Sequence, residues 1–267
     1  MSRQITLALF TMILLLAPIG RAIGLAGTAC GAEFRIENKI YLDDEKLPPC
    51  GSVTIFSDNL VYDILDGEGE ITIFDRAHGR FVMLDPTHRL RTEIGVAKLQ
   101  QAMDKLKSWA WTQPDRPQPD AFLRFLAAPK FDLQSVTAAG ELDFASPWAS
   151  YRVVPQDPAS GEVARAYQDF SNKYCQLNAL INPGTRPPFA RMIVNDALGQ
   201  RRLIPREVKL TIQPKEGPTA TRTTIRSQHQ FTPRLSQADR QQIARAEQMA
   251  ISFTPVQFSE YQRQVRP

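Results

Sequence analysis

Residues 60–94 read LVYDILDGEGEITIFDRAHGRFVMLDPTHRLRTEI. Four apolar runs alternate with short polar breaks: Asp66-Gly67-Glu68-Gly69, Arg76-Ala77-His78-Gly79 and Asp85-Pro86-Thr87-His88. The runs are rich in Ile, Val, Phe and Tyr, which fit a pleated surface. The breaks carry turn formers. Links this short join antiparallel neighbours, whereas a parallel crossover needs about a dozen residues or more. The stretch is therefore an antiparallel meander, and a doubly wound nucleotide-binding fold is excluded. Upstream, Phe34–Leu42 and Ser52–Phe56 read as two further strands, with turns at Pro48-Pro49-Cys50-Gly51 and Ser57-Asp58-Asn59.

Proline placement locates the helices, because a helix interior excludes it. Three proline-free windows carry helical periodicity. In Val96–Ala110 the stripe is Val96, Leu99, Met103, Leu106 and Ala110. In Glu162–Ile181 it is Val163, Tyr167, Phe170, Tyr174, Leu177 and Ile181. In Gln237–Phe253 it is Ile243, Ala246, Ala250 and Phe253, with Ser236 and Asp239 spaced as a capping box. Further strands are expected within Phe131–Phe144 and at Ser150–Val154, Arg206–Gln213 and Thr221–Phe231. A proline-rich connector, WTQPDRPQPD, occupies 111–120. Too few strands follow it to build a second core. The expected fold is α+β: one domain over 33–267, with a curved antiparallel sheet (an incomplete barrel) packed against about three helices.

Several meander strands are apolar on both faces. Ile71 and Ile73 oppose Phe74, while Phe81 and Met83 oppose Val82 and Leu84. A one-sided antiparallel sheet alternates apolar with polar, so this one needs two covers. One cover is helical. The other is helices, loops or an apolar ligand. With simple registers at the two four-residue turns, Phe74 faces Phe81 and Met83 faces Leu90. Arg89, Arg91 and Glu93 then share the opposite, solvated face. Phe74, Phe81, Met83 and Leu90 are the candidate ligand-lining residues. A curved sheet filled by its own side chains is the competing expectation.

The chain begins MSRQITLALFTMILLLAPIGRA. Arg3 precedes an uncharged run from Ile5 to Ile19, long enough for a signal-peptide core and short of the ~20 residues of a spanning helix. Small residues offer cleavage after Ala22, Ala29 or Ala32. Residues 1–32 are assigned as a signal peptide, so export to the periplasm, cell envelope or extracellular space is expected, with no transmembrane span in the mature chain. Cys30 invites lipidation, but Gly27 stands where an aliphatic residue is wanted, and simple cleavage is preferred. An oxidising compartment makes a Cys50–Cys175 disulfide one reading, with two unrelated thiols the other.

Composition excludes other classes. The 267 residues are 43% hydrophobic and 22% charged, which fits an ordinary globular protein. Without residues 1–32 the balance is 30 basic to 28 acidic groups. That near-neutrality, and the lack of aromatics interleaved with a basic stripe, argue against a nucleic-acid partner. No phosphate loop, zinc helix, C-x-x-C pair or G-x-S-x-G elbow occurs. His78 and His88 fall in successive turns, at opposite ends of a meander, so they share no metal. No cofactor and no metal is expected. Ser227 and His229 share one strand face, the arrangement of a nucleophile–base pair. That spacing is common, however, and only geometry defines a triad, so two polar strand residues are the preferred reading. No catalytic residue is assigned.

The order of elements and the text Asp66-Gly67 … Ile71-Thr72-Ile73-Phe74-Asp75 … Phe81-Val82-Met83-Leu84-Asp85 resemble the periplasmic lipoprotein carriers (LolA/LolB-like). The whole chain also resembles a group of secreted bacterial proteins. The carrier likeness covers about a quarter of the chain, which departs from it in length, in the proline-rich insert and in its basic C-terminal stretch. It implies an incomplete antiparallel barrel that wraps helices and shelters acyl chains, and transfers no individual site residue. The leading expectation is an exported, non-enzymatic protein that binds a lipid or other apolar ligand in a curved-sheet cavity. The alternative is a structural module of the envelope with a filled core and a protein partner. A hydrolase without a recognisable motif comes third.

Overall fold

A computed structural model describes residues 32–265, apart from 44, 49, 68, 113–120, 159, 183 and 213–222. Cys30, residues 1–31 of the expected signal peptide and most of the proline-rich connector lie outside the described residues. Among the described residues, twelve strands form one sheet. They are β1 (Phe34–Leu42), β2 (Cys50–Ser57), β3 (Leu60–Leu65), β4 (Ile71–Asp75), β5 (Arg80–Asp85), β6 (Leu90–Gly95), β7 (Leu133–Val136), β8 (Leu142–Ala145), β9 (Ala149–Gln156), β10 (Ile204–Ile212), β11 (Thr223–Thr232) and β12 (Thr254–Pro255). Their order is β12-β6-β5-β4-β3-β2-β1-β11-β10-β9-β8-β7. Every pairing is antiparallel except the short parallel contact of β12 with β6. The α+β class and the antiparallel sheet match the expectation, and the sheet is open, with β12 and β7 at its edges.

Six helices are present among the described residues, where about three were expected. They are α1 (Val96–Trp111), α2 (Ala121–Ala127), α3 (Gly161–Ile181), α4 (Phe189–Gln200), α5 (Gln237–Ser252) and α6 (Phe258–Val265). The missed ones are short. Helix α2 has 7 residues and α6 has 8, too few for a sustained stripe. Helix α4 begins directly after Pro187-Pro188, where proline suits a helix start. Helix α1 runs through Trp111, so the connector begins later than the proline count suggested. The capping box of α5 is formed, with Ser236 and Asp239 satisfying each other's backbone donors.

The two apolar faces of the meander have two helical covers. On one face, Phe34, Phe56, Val61, Phe74, Phe81, Met83 and Ile94 pack with Leu99 of α1, Phe170 and Leu177 of α3, and Tyr261 of α6. On the other, Ile55, Tyr62, Ile73, Val82 and Leu84 pack with Ala246 and its neighbours on α5. Tyr62 Oη donates to Glu247 Oε1 at 2.9 Å, fastening α5 to the sheet. A third cluster joins Tyr151, Val153 and Val208 of β9 and β10 to Phe125 of α2 and to Val194 and Leu198 of α4. The face opposite Phe81 is thus helix-covered over β2–β5, and solvated only towards Arg91 and Glu93 of β6.

One register differs from expectation. Phe74 pairs with Phe81, their rings stacked 4.6 Å apart. Met83, however, pairs with Thr92, and Leu90 pairs with Asp85. The loop is residues 86–89, not 85–88, because Asp85 is held in the strand. Its carboxylate accepts from the backbone N–H groups of Thr87 and His88. Asp75 does the same for His78 in the preceding turn. Both loops close through a left-handed residue, Gly79 at φ 59° and Arg89 at φ 56°. A shift of two residues preserves the face, so Leu90 still lies on the Phe81 side.

Phe81→Ala is expected to cost about 3–5 kcal/mol in urea melts, as for a large side chain removed from a filled core. A loss below about 1 kcal/mol would show that its surroundings are not tightly packed.

Candidate functional site

The helix-bearing face, meaning the Phe81 side under α1, α3 and α6, is not apolar throughout. Six strand residues and one helix residue make a continuous hydrogen-bonded path across four neighbouring strands, β3, β2, β1 and β11. It starts at Asp63, buried within β3 between Val61 and Leu65 on the core face. Asp63 Oδ1 accepts from Thr54 Oγ1 at 2.6 Å and Ser52 Oγ at 3.1 Å, both on β2. Its Oδ2 accepts from Tyr174 Oη of α3 at 2.7 Å. Burial raises the Asp63 pKa, and the three hydroxyl donors oppose that rise. Burial also raises the Tyr174 phenol well above its ordinary value, with the Asp63 charge adding to it.

From Asp63 outward the direction of each bond follows by elimination. Ser52 and Thr54 spend their protons on the carboxylate, so towards Asn38 they can only accept. Asn38 Nδ2 donates to Ser52 Oγ at 3.1 Å and Thr54 Oγ1 at 2.9 Å. Its other amide atom, Oδ1, lies 2.8 Å from His229 Nδ1. An amide oxygen only accepts, so Nδ1 carries the ring proton and Nε2 has a free lone pair. That lone pair faces Ser227 Oγ at 3.1 Å. The Val208 carbonyl, 3.5 Å from the same oxygen, is the weaker acceptor for its proton. Ser227, His229 and Asn38 therefore stand as hydroxyl, base and orienting group.

Registers explain the convergence. Asn38 pairs with His229 and with Ser52, and Thr54 pairs with Asp63. Burial pushes the His229 pKa down to about 3, with the Arg191 charge acting in the same direction. Arg191 lies on α4, where its Nε donates to Asn195 Oδ1 at 3.0 Å. Asn195 in turn donates to Asn172 Oδ1, and both Asn172 and Gln168 of α3 donate to Asp196 of α4, at 2.8 Å each. The α3–α4 seam above this part of the sheet is thus polar.

Beside His229 the sheet parts. β10 pairs with β11 only as far as Glu207–Gln228, while Ile204 and Pro205 pair with β9 alone. The register jumps between Pro205 and Glu207, and proline cannot donate to a ladder. Gln156 Nε2 spans the gap, donating to Pro205 O at 2.9 Å and His229 O at 3.2 Å. The opening is a cleft of about 370 Å³ lined by Val154, Gln156, Arg206, Glu207 and residues 228–231.

A second feature adjoins the path. β11 is interior to the sheet, yet none of its residues is buried. Ile225, Ser227, His229 and Phe231 share the helix-bearing face with Leu42, Ile40, Asn38 and Ile36 of β1, pair by pair. Ile40 is 37% and Leu42 40% exposed. Among the described residues, an apolar strip is therefore left partly exposed between the cluster under α1, α3 and α6 and the cluster under α2 and α4.

The residues singled out from sequence divide as follows. Phe74, Phe81 and Met83 meet in the first core cluster, fully covered by helices, with Leu90 partly buried at its margin. Cys50 and Cys175 are separate thiols, Cys50 exposed. Cys175 Sγ lies 3.3 Å from Asn172 O, and burial pushes its pKa up to about 12. His78 and His88 each turn Nδ1 to the aspartate of their own loop. Among the described residues no group of three or more His, Cys, Asp or Glu is arranged to hold a metal ion, and no helix is long and apolar enough to cross a membrane. Neither a protein-family model nor a curated protein matches the chain.

The lowered pKa of His229 has a definite sign for stability. Between about pH 3 and 6.5 the unfolded histidine binds a proton that the folded one refuses. Stability then rises with pH through this window, and the gain is complete above it. His229→Gln should remove that slope, so wild type minus variant in urea melts grows from pH ~4 to ~6.5 and then levels. A difference independent of pH would mean that His229 titrates normally.

Proposed function

We propose that the chain is an exported binding protein that holds an acyl-bearing, amphipathic ligand against the helix-bearing face of its sheet, along β1 and β11. The partly exposed apolar strip carries this reading. An interior antiparallel strand normally buries at least one face, yet β11 buries neither, and here Ile40, Leu42 and Ile225 sit beside a polar stripe at Asn38, Ser227 and His229. Apolar floor and convergent polar groups side by side suit a chain with a polar head. Residues 1–32, with their signal-peptide pattern, and the resemblance to periplasmic lipoprotein carriers point the same way. The lining moves, however, from Phe74, Phe81, Met83 and Leu90 to the β1–β11 strip, because helices occupy the former.

A second reading has its own support. The filled packing around Phe74 and Phe81 suits a structural module of the envelope whose exposed strip meets a protein partner.

Binding separates the two. Mass spectrometry of organic extracts from natively purified protein should find a co-purifying acyl compound, and a fluorescent fatty-acid analogue should titrate. Leu42→Asp should weaken that titration about tenfold or more, since burying a carboxylate against an acyl chain is costly. No extractable lipid and no titration would leave the interaction module. Intact mass of the exported protein should place its first residue between Ile23 and Glu33. A chain retained from Met1 in the membrane fraction would instead mean an anchor.

A further inference from the structure

We propose that Ser227 is a nucleophile, with His229 as its base and Asn38 as positioning residue, and that it accepts the acyl group of a carboxylic ester. This rests on the binding reading above and adds a reaction to it. Three observations converge. Ser227 Oγ lies 3.1 Å from His229 Nε2, and His229 Nδ1 lies 2.8 Å from Asn38 Oδ1, which is hydrogen-bond reach at both joints. The tautomer is the productive one, since Asn38 has no donor left for Nδ1 once its Nδ2 serves Ser52 and Thr54. Finally, the site is open to a reactant. Ser227 is part-exposed, its pair partner Ile40 is 37% exposed, and the apolar strip of Ile40 and Leu42 runs alongside.

The chemistry balances with water alone. Ser227 Oγ bonds to the ester carbonyl carbon while its proton passes to His229 Nε2. The C–O bond to the alcohol breaks, and the proton on Nε2 goes to the departing oxygen, which releases the alcohol and leaves an acyl-serine. Water then attacks the same carbon, gives a proton to Nε2, and the acid leaves as that proton returns to Oγ. Asn38 holds the ring through both halves and takes no proton. The strip sets the substrate class: an ester whose acyl chain lies on Ile40 and Leu42 beside Ser227.

The folded full-length mature chain is treated with a fluorophosphonate probe and with p-nitrophenyl butyrate. One adduct per chain is expected by intact mass, mapping to the peptide that carries Ser227, with release of p-nitrophenolate. Ser227→Ala should abolish both, and His229→Gln should slow both by about 100-fold. Circular-dichroism melts show whether the variants fold, and if either does not, adduct mapping on wild-type protein decides alone. No adduct on wild type, or an adduct elsewhere that survives Ser227→Ala, overturns the proposal. Titration of wild type with a fatty alcohol, which has no ester to cleave, is read separately. Binding without labelling defeats the nucleophile alone, whereas labelling without binding defeats the binding reading alone.

Discussion

A carboxylate buried at Asp63 governs the polar architecture of the helix-bearing face. An ionised acid in that position is costly unless donors surround it. Three hydroxyls do so, each charge-assisted bond contributing about 1.5–3 kcal/mol. Tyr174 brings α3 down onto the sheet at this point, and Ser52 and Thr54 commit their protons to the same group. Those commitments then propagate. Asn38 can only donate to the two hydroxyls and accept from His229, so an imidazole three strands across the sheet from Asp63 has its proton assigned by an acid it does not touch. Breaking Asp63 would therefore loosen α3 and randomise the His229 tautomer together.

The apolar architecture answers a different demand. Strands β2–β5 have no solvent face, and their two sides are taken by α5 and by α1, α3 and α6. Helices α2 and α4 form a separate layer over β8–β10. The two layers meet at a polar seam of Gln168, Asn172, Asn195 and Asp196 instead of an apolar one. Below that junction β11 is left without a buried residue, and the hydrogen-bonded path ends there at Ser227. The exposed apolar strip and the serine are products of the same gap between helix layers.

Much of the fold is legible in the sequence, because alternation and turn chemistry are local. Phe34–Leu42 reads out as a strand with its observed bounds, and the four apolar runs between Leu60 and Ile94 read out as β3–β6. Short helices were not legible. FARMIVNDALGQ carries a stripe of little more than three turns, and its role appears only when Val194 and Leu198 meet Val153 and Val208. The Met83–Leu90 register failed because Asp85 caps its own loop from within the strand, a contact invisible to residue counting. For the site, Ser227 and His229 were visible as a pair but not as a geometry. Asn38 and Asp63 were visible only as polar residues on otherwise apolar faces. Their meaning depends on β1 pairing with β11, a partner almost two hundred residues away. No local pattern encodes that pairing.

Nitrogen-15 NMR of the histidine side chains tests the directional path most directly. His229 should show a protonated Nδ1 and an unprotonated Nε2 at neutral pH, with the ring still neutral at about pH 5, where a solvated histidine is charged. Asp63→Asn should disturb that pattern although the two residues do not touch. A proton on Nε2 in the native protein, or an imidazolium forming near pH 6.5 as in a solvated histidine, would contradict the directional path and the nucleophile it presents.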